Sequence, residues 1–305
     1  MKSFITYLKH YLSRQSPKSI ICITAFTALL IVCNYTFGVE RRIRDIHPWY
    51  LSLASFFFFY AFVFFFAWAV VGAREIRSHA SRRHFLLILL MAPLYFSFKM
   101  IHWDLSLDLH YPWDHYALIV LQLPAKLLLL CILLWFCSRL LQEDGIPSPA
   151  LFGLTQKGFQ AGPYFLLLAC LLPLIALAST RPDFLHTYPK VKNIAFIGGY
   201  ATPSWPWQLV YELSYGMDFL SIELFFRGLL VIGLVRYAGE KAILPMAAFY
   251  CTIHFGKPLG ECISSFFGGM ILGVIALRTR SILGGLIVHL GLAWLMEVAA
   301  WIQIR

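Results

Sequence analysis

Nine stretches of the chain are almost wholly apolar and are separated by short polar or basic connections: 19–37, 50–71, 85–101, 117–141, 163–180, 209–235, 242–255, 259–277 and 282–304. A bilayer core needs about 20 apolar residues per helix, and a run hydrophobic on every face has no water-facing side to expose. The pattern predicts an all-α, polytopic transmembrane helix bundle with about nine spans. The run at 242–255 is the shortest. The run at 19–37 follows a basic segment, is long for a signal-peptide core and is not followed by an A-x-A site, so it is expected to stay as the first span.

The connection 181–208, with four prolines and two adjacent glycines, separates 1–180, a set of transmembrane helices of unassigned role, from 209–305, where the ionisable groups concentrate. Composition agrees with a lipid solvent. Hydrophobic residues make up 60% of the 305, and charged residues 13%, against about 25% charged in a soluble domain. The net charge of +10 sits in short clusters between apolar runs, which is topology signal and not a nucleic-acid face. With the N-terminus cytoplasmic, roughly 14 Lys/Arg fall inside and roughly 8 outside. Arg41, Arg42 and Arg44 oppose that orientation. The seven cysteines include no C-x-x-C pair and lie in or beside apolar runs, so neither zinc nor a disulfide framework is expected.

The phenylalanine-dense stretches 56–60 and 64–66 read as lipid-facing or packing surface. In the loop 102–115, Trp103, Asp104, Asp108, His110, Trp113, Asp114 and His115 mimic a metal cluster, but tryptophans at a span boundary read as an interfacial aromatic belt.

An ionisable side chain inside a span costs about 2.5–3.5 kcal/mol on insertion scales, so each is a functional candidate. Glu223 and Arg227 lie four residues apart and share a helix face, and Glu212 lies eleven residues earlier on the same stripe. As a pair, Glu223 and Arg227 read equally well as helix glue. His254 closes the short seventh run and His289 lies in the ninth. Counted at about 1.5 Å per residue from the flanking basic residues Arg236, Lys241 and Arg280, the three side chains fall about 20, 20 and 14 Å from one boundary. A carboxylate and imidazoles at similar depth suit hydrolysis, in which a base activates water and a polarising group stabilises the oxyanion. Ser221, the competing nucleophile, lacks an elbow motif and an evident base at suitable spacing.

These residues resemble the CPBP family, the CAAX proteases and bacteriocin-processing or immunity membrane proteins, whose signature is EExxxR, FxxxH and HxxxN on successive helices. Glu223 to Arg227 is similar to the end of the first motif, Tyr250 to His254 to the second, and His289 to Ala293 to the third. The likeness runs over roughly the last hundred residues and leaves the first five spans outside it. It implies that the first-motif glutamate and the second-motif histidine activate water while the last histidine and asparagine form an oxyanion site. Here the first glutamate is Ile222, the asparagine is Ala293 and the second-motif aromatic is tyrosine.

The expectation is an intramembrane endopeptidase in which Glu223 and His254 activate water and His289 polarises the scissile carbonyl. Arg227 holds Glu223 ionised, and Glu261 is an auxiliary polar partner. A missing oxyanion donor costs a factor of about 100 to 1,000 without abolishing the reaction. Two histidines and a glutamate on three helices also suit zinc, but the resemblance implies a metal-free mechanism without a cofactor. The partners expected are the lipid bilayer and a membrane-protein or peptide substrate, not nucleic acid, in a bacterial plasma membrane. Substrate identity, prenylation and oligomeric state stay open. Two rivals also stay open: an inactive relative that binds a membrane protein or confers immunity to a bacteriocin, and a proton-coupled transporter.

Overall fold

The computed structural model describes residues 2–72, 79–101, 106–145, 150–157 and 159–304. Its helices are α1 Lys2–Arg14, α2 Pro17–Phe37, α3 Val39–Arg44, α4 Trp49–Val71, α5 His79–Met100, α6 Trp113–Glu143, α7 Gly162–Ala178, α8 Pro182–Thr187, α9 Trp205–Glu223, α10 Val235–Ala238, α11 Ile243–Thr252, α12 Leu259–Thr279 and α13 Leu283–Ile304. A π-helix covers Leu224–Gly233, and a 3-10 helix covers Lys190–Gly199 within the 181–208 connection. The described residues contain no strand.

Six helices, α2, α4, α5, α6, α12 and α13, are long and apolar enough to cross a membrane among the described residues. Three further expected runs, 163–180, 209–235 and 242–255, are not among these six. α7 has 17 residues, α9 gives way to the π-helix, and α11 has 10. Ten residues rise about 15 Å, half of a bilayer core of about 30 Å.

The chain divides into two compact units. The first comprises Met1–His102, Leu133–Phe159 and Leu224–Leu283; the second comprises Trp103–Ile132, Gln160–Glu223 and Gly284–Arg305.

In the first unit α11 is the centre, with all ten of its residues buried. Phe249 on α11 gathers an aromatic core, with Tyr60 and Phe64 of α4 at 5.3 Å between ring centroids, Phe96 of α5 at 5.7 Å and Phe226 of the π-helix at 5.5 Å. The phenylalanine-dense helix α4 divides its rings by helical period. Phe56, Tyr60 and Phe64, four apart, are buried, while Phe58 and Phe62 are exposed. The buried rings are thus packing surface. α1 is amphipathic: Tyr11 is buried, and Ile5, Lys9, Leu12 and Arg14 are exposed. Cys251 and Cys262 are buried free thiols with their sulfurs 4.0 Å apart.

The second unit holds two apolar clusters. Tyr116, Val120, Ile194, Ile197 and Tyr211 form one, and Ile175, Phe184, Tyr188, Met296 and Ala300 the other. Trp113, expected in an aromatic belt, packs tilted against Trp207 at 4.8 Å and edge-on to Tyr116 at 6.4 Å between ring centroids. Trp103 and Asp104 of the same loop lie outside the described residues. Buried Glu297 of α13 accepts the backbone N–H groups of Lys190 (2.6 Å) and Val191 (3.2 Å), supplying partners to the first turn of the 3-10 helix.

Candidate active site

In the second unit, α9 ends on Glu223 and α13 carries His289. Glu223 is fully buried, and an isolated buried carboxylate costs several kcal/mol unless it is paired. Its partner is His289, whose Nδ1 lies 2.5 Å from Glu223 Oε1. An ionised carboxylate only accepts, so opposite an ionised Glu223 the proton lies on Nδ1, and a neutral imidazole then has its lone pair on Nε2. Phe219, one turn back on α9, sets its ring 6.2 Å from the imidazole.

The carboxylate reaches α13 because of a residue that the chemistry-bearing motifs do not include. A Cβ at Gly285, one turn before His289, would lie 2.2 Å from Glu223 Oε2 and 2.8 Å from its Cδ. Gly284 does the same for α7, since a Cβ there would fall 1.9 Å from Cζ of Tyr164. The signal in the sequence is the Gly284-Gly285 pair inside an apolar run, where helix propensity disfavours glycine by about 1 kcal/mol each.

Glu212, placed with Glu223 on one stripe, lies farther along α9 and is half-buried, with its Oε2 lacking a hydrogen-bond partner among the described residues. Ile222 and Ala293, at the departures from the family pattern, are both buried. Ser221 donates its hydroxyl to the carbonyl of Asp218 at 2.9 Å.

In the first unit, Arg227 is fully buried on the π-helix. Its guanidinium lies over the ring of Tyr250, with Cζ 4.3 Å from the centroid. Desolvated contacts of this kind are worth about 2 kcal/mol or more. The ring of Tyr250 also meets that of His254 edge-on at 4.7 Å.

His254 is oriented by the way its helix stops. The last turn of α11 tightens, with the N–H groups of His254 and Phe255 bonding to the carbonyls of Cys251 and Thr252. The carbonyl of Tyr250 instead meets His254 Nδ1 at 3.0 Å. A carbonyl only accepts, so Nδ1 carries the proton and neutral His254 has its lone pair on Nε2.

The turn that follows is tied to α2. Asn34 donates from Nδ2 to the carbonyl of Phe255 (2.9 Å) while its Oδ1 accepts the N–H of Glu40 (2.9 Å), and the Tyr35 hydroxyl donates to the carbonyl of Lys257 (2.5 Å). Glu40, paired with Arg44, lies against Gly256, where a Cβ would be 3.3 Å from its Oε2. Sequence reasoning gave these N-terminal residues no role; a buried amide inside an apolar run was the available signal. Glu261 stands at the start of α12 and pairs with Lys257 at 3.2 Å.

The structure therefore joins Glu223 to His289 in one unit, and Arg227, Tyr250 and His254 to one another in the other. Among the described residues no group of three or more His, Cys, Asp or Glu is arranged to hold a metal ion. No curated protein and no solved structure matches the chain. Residues 204–295, which contain all three motifs, match the family model described as Type II CAAX prenyl endopeptidase Rce1-like, and the chain's resemblance is thus to the protease family of that description within the CPBP group.

Proposed function

We propose that this integral membrane protein is an endopeptidase that hydrolyses a peptide bond of a membrane-associated protein or peptide, with Glu223 and His289 acting as one catalytic unit. The observation that carries the reading is the 2.5 Å hydrogen bond between the buried Glu223 carboxylate and His289 Nδ1. A carboxylate in that position holds the imidazole in one tautomer and stabilises the imidazolium that forms when Nε2 takes a proton. Nε2 accepts a proton from water, the resulting hydroxide attacks the scissile carbonyl carbon, and the imidazolium returns the proton to the departing amine. This gives His289 the part of base in place of the carbonyl-polarising part that the sequence suggested.

His254 keeps the share in water activation that the resemblance assigns to it, and its Nε2 lone pair suits that share. Arg227, stacked on Tyr250, acts by positioning. Glu261, answered by Lys257, is left an auxiliary polar role. The reading includes about nine spans, residues 209–305 as the protease core, a cytoplasmic N-terminus and a bacterial plasma membrane.

The test compares new peptide termini in membranes from cells expressing wild type, Glu223→Gln, His289→Ala and His254→Ala at matched levels, followed by cleavage of the peptide so found in proteoliposomes. Replacing a carboxylate that orients a histidine by its amide lowers turnover by about 10⁴-fold in the serine-protease case. Glu223→Gln is expected to behave similarly, and His289→Ala to lose at least as much. Termini unchanged in all three variants would move the noncatalytic binding reading ahead.

A further inference from the structure

At one end of the first unit a cavity of about 1320 Å³ opens among the segments that connect the helices. Six cations line it: Arg14 from the end of α1, Lys157, Arg236 of α10, Lys241, Arg278 at the end of α12, and Arg280. Glu240 is the one carboxylate in the lining, giving a net charge of five positive. It is met by Arg278 at 2.5 Å and by Arg14 at 3.9 Å. Lys157, Arg236, Lys241 and Arg280 are exposed and have no carboxylate partner among the described residues.

Six like charges converging on a hollow repel one another, and on a convex surface such side chains would spread apart. Here the backbone fixes where they start. Arg280 sits at φ 56°, in the left-handed region that a glycine would occupy at lower cost. The chain carries a cation there nonetheless. The floor is apolar and is provided by buried Ile232 and Leu277. Arg14 and Gln15 immediately precede the spanning helix α2, and Arg278 to Arg280 end the spanning helix α12, so the hollow lies at the level where spans meet water.

A ligand suited to this place is anionic, larger than a single phosphate and anchored at the membrane surface with an apolar part. Small-molecule sites have volumes of about 300–1,000 Å³, so the hollow has room for a whole headgroup. We infer that it is a binding site for the phosphate-bearing headgroup of an anionic phospholipid. Basic pockets between transmembrane helices bind such headgroups, with each Lys or Arg near the surface contributing about 1 kcal/mol, or about a fivefold change in affinity. This inference is independent of the peptidase reading, because none of these side chains takes part in it.

The test uses the full chain in nanodiscs of phosphatidylcholine containing a minor fraction of phosphatidylglycerol, and measures the lipid retained after affinity capture in detergent. Wild type is expected to retain phosphatidylglycerol selectively. The triple variant Arg236→Gln, Lys241→Gln, Arg280→Gln is expected to lose about fivefold per cation removed, with an unchanged melting temperature because the three side chains are exposed. A control with Lys9→Gln and Arg41→Gln removes exposed cations outside the hollow and should retain lipid as wild type does. Equal retention by wild type and triple variant, or equal loss in the control, would overturn the inference. Displacement of phosphatidylglycerol by inorganic phosphate would assign the hollow to a soluble phosphate compound and would likewise overturn the lipid reading.

Discussion

Gly285→Ala places one methyl group where Glu223 now lies. The new Cβ would be 2.2 Å from Oε2, and ordinary contact begins at 3.4 Å, so the carboxylate must retreat by about 1.2 Å. The atom that has to move is the far end of a flexible side chain, and alanine is favoured over glycine in a helix by about 1 kcal/mol. The fold of α13 should therefore survive, and the cost falls on the position of the carboxylate relative to His289. A misplacement of about 1 Å at a catalytic group costs about 10²-fold in rate.

Gly285→Ala is accordingly expected to cleave its substrate about a hundredfold more slowly in proteoliposomes, with a melting temperature equal to or above that of wild type. The decisive comparison is the double variant. If the alanine acts only by displacing the carboxylate, its effect should largely vanish in a Glu223→Gln background that is already disabled. Full activity in Gly285→Ala, or the same hundredfold loss added to that of Glu223→Gln, would refute the reasoning.

Two further predictions concern stability. Tyr250→Leu removes the face on which Arg227 rests and should destabilise the protein by about 2 kcal/mol more than Tyr250→Phe, which keeps the ring, in a thermal melt. Tyr11, on α1 outside the spans, is buried with a hydroxyl that has no hydrogen-bond partner among the described residues, and burial followed by the charge of Glu240 raises its phenol above the ordinary value of 10.0. The unfolded chain ionises first as pH rises past that value, so this group's contribution to stability is present below pH 10 and is lost above it. Tyr11→Phe should raise stability at neutral pH by about 1 kcal/mol and flatten the alkaline limb of the melting profile, and an unchanged limb would count against it.

Much of the architecture could be read from apolar runs alone, because a helix in lipid must satisfy its own backbone and declares itself by length. The runs that are short or change helix type were the hard ones. Nothing in 209–235 distinguishes a continuous α-helix from one that turns to π at Leu224, since side-chain hydropathy does not encode the hydrogen-bond register. The ionisable residues of the site were conspicuous because each is expensive in an apolar run. Their pairings were not. That Glu223 meets His289 depends on the absence of a side chain at Gly285, and that His254 turns its Nδ1 to Tyr250 depends on where α11 tightens, both of which are properties of backbone proximity.

The turn that follows His254 is fastened by Asn34 and Tyr35 and lies against Glu40, residues more than two hundred positions earlier in the chain. The stretch that carries the family likeness begins at residue 204 and contains none of these fasteners. It is therefore not a portable cassette. Moved into another membrane scaffold, it would bring both histidines and Glu223 but leave behind the struts that fix the backbone next to one of them, so any minimal version of this protein must also include α2 and the start of α3.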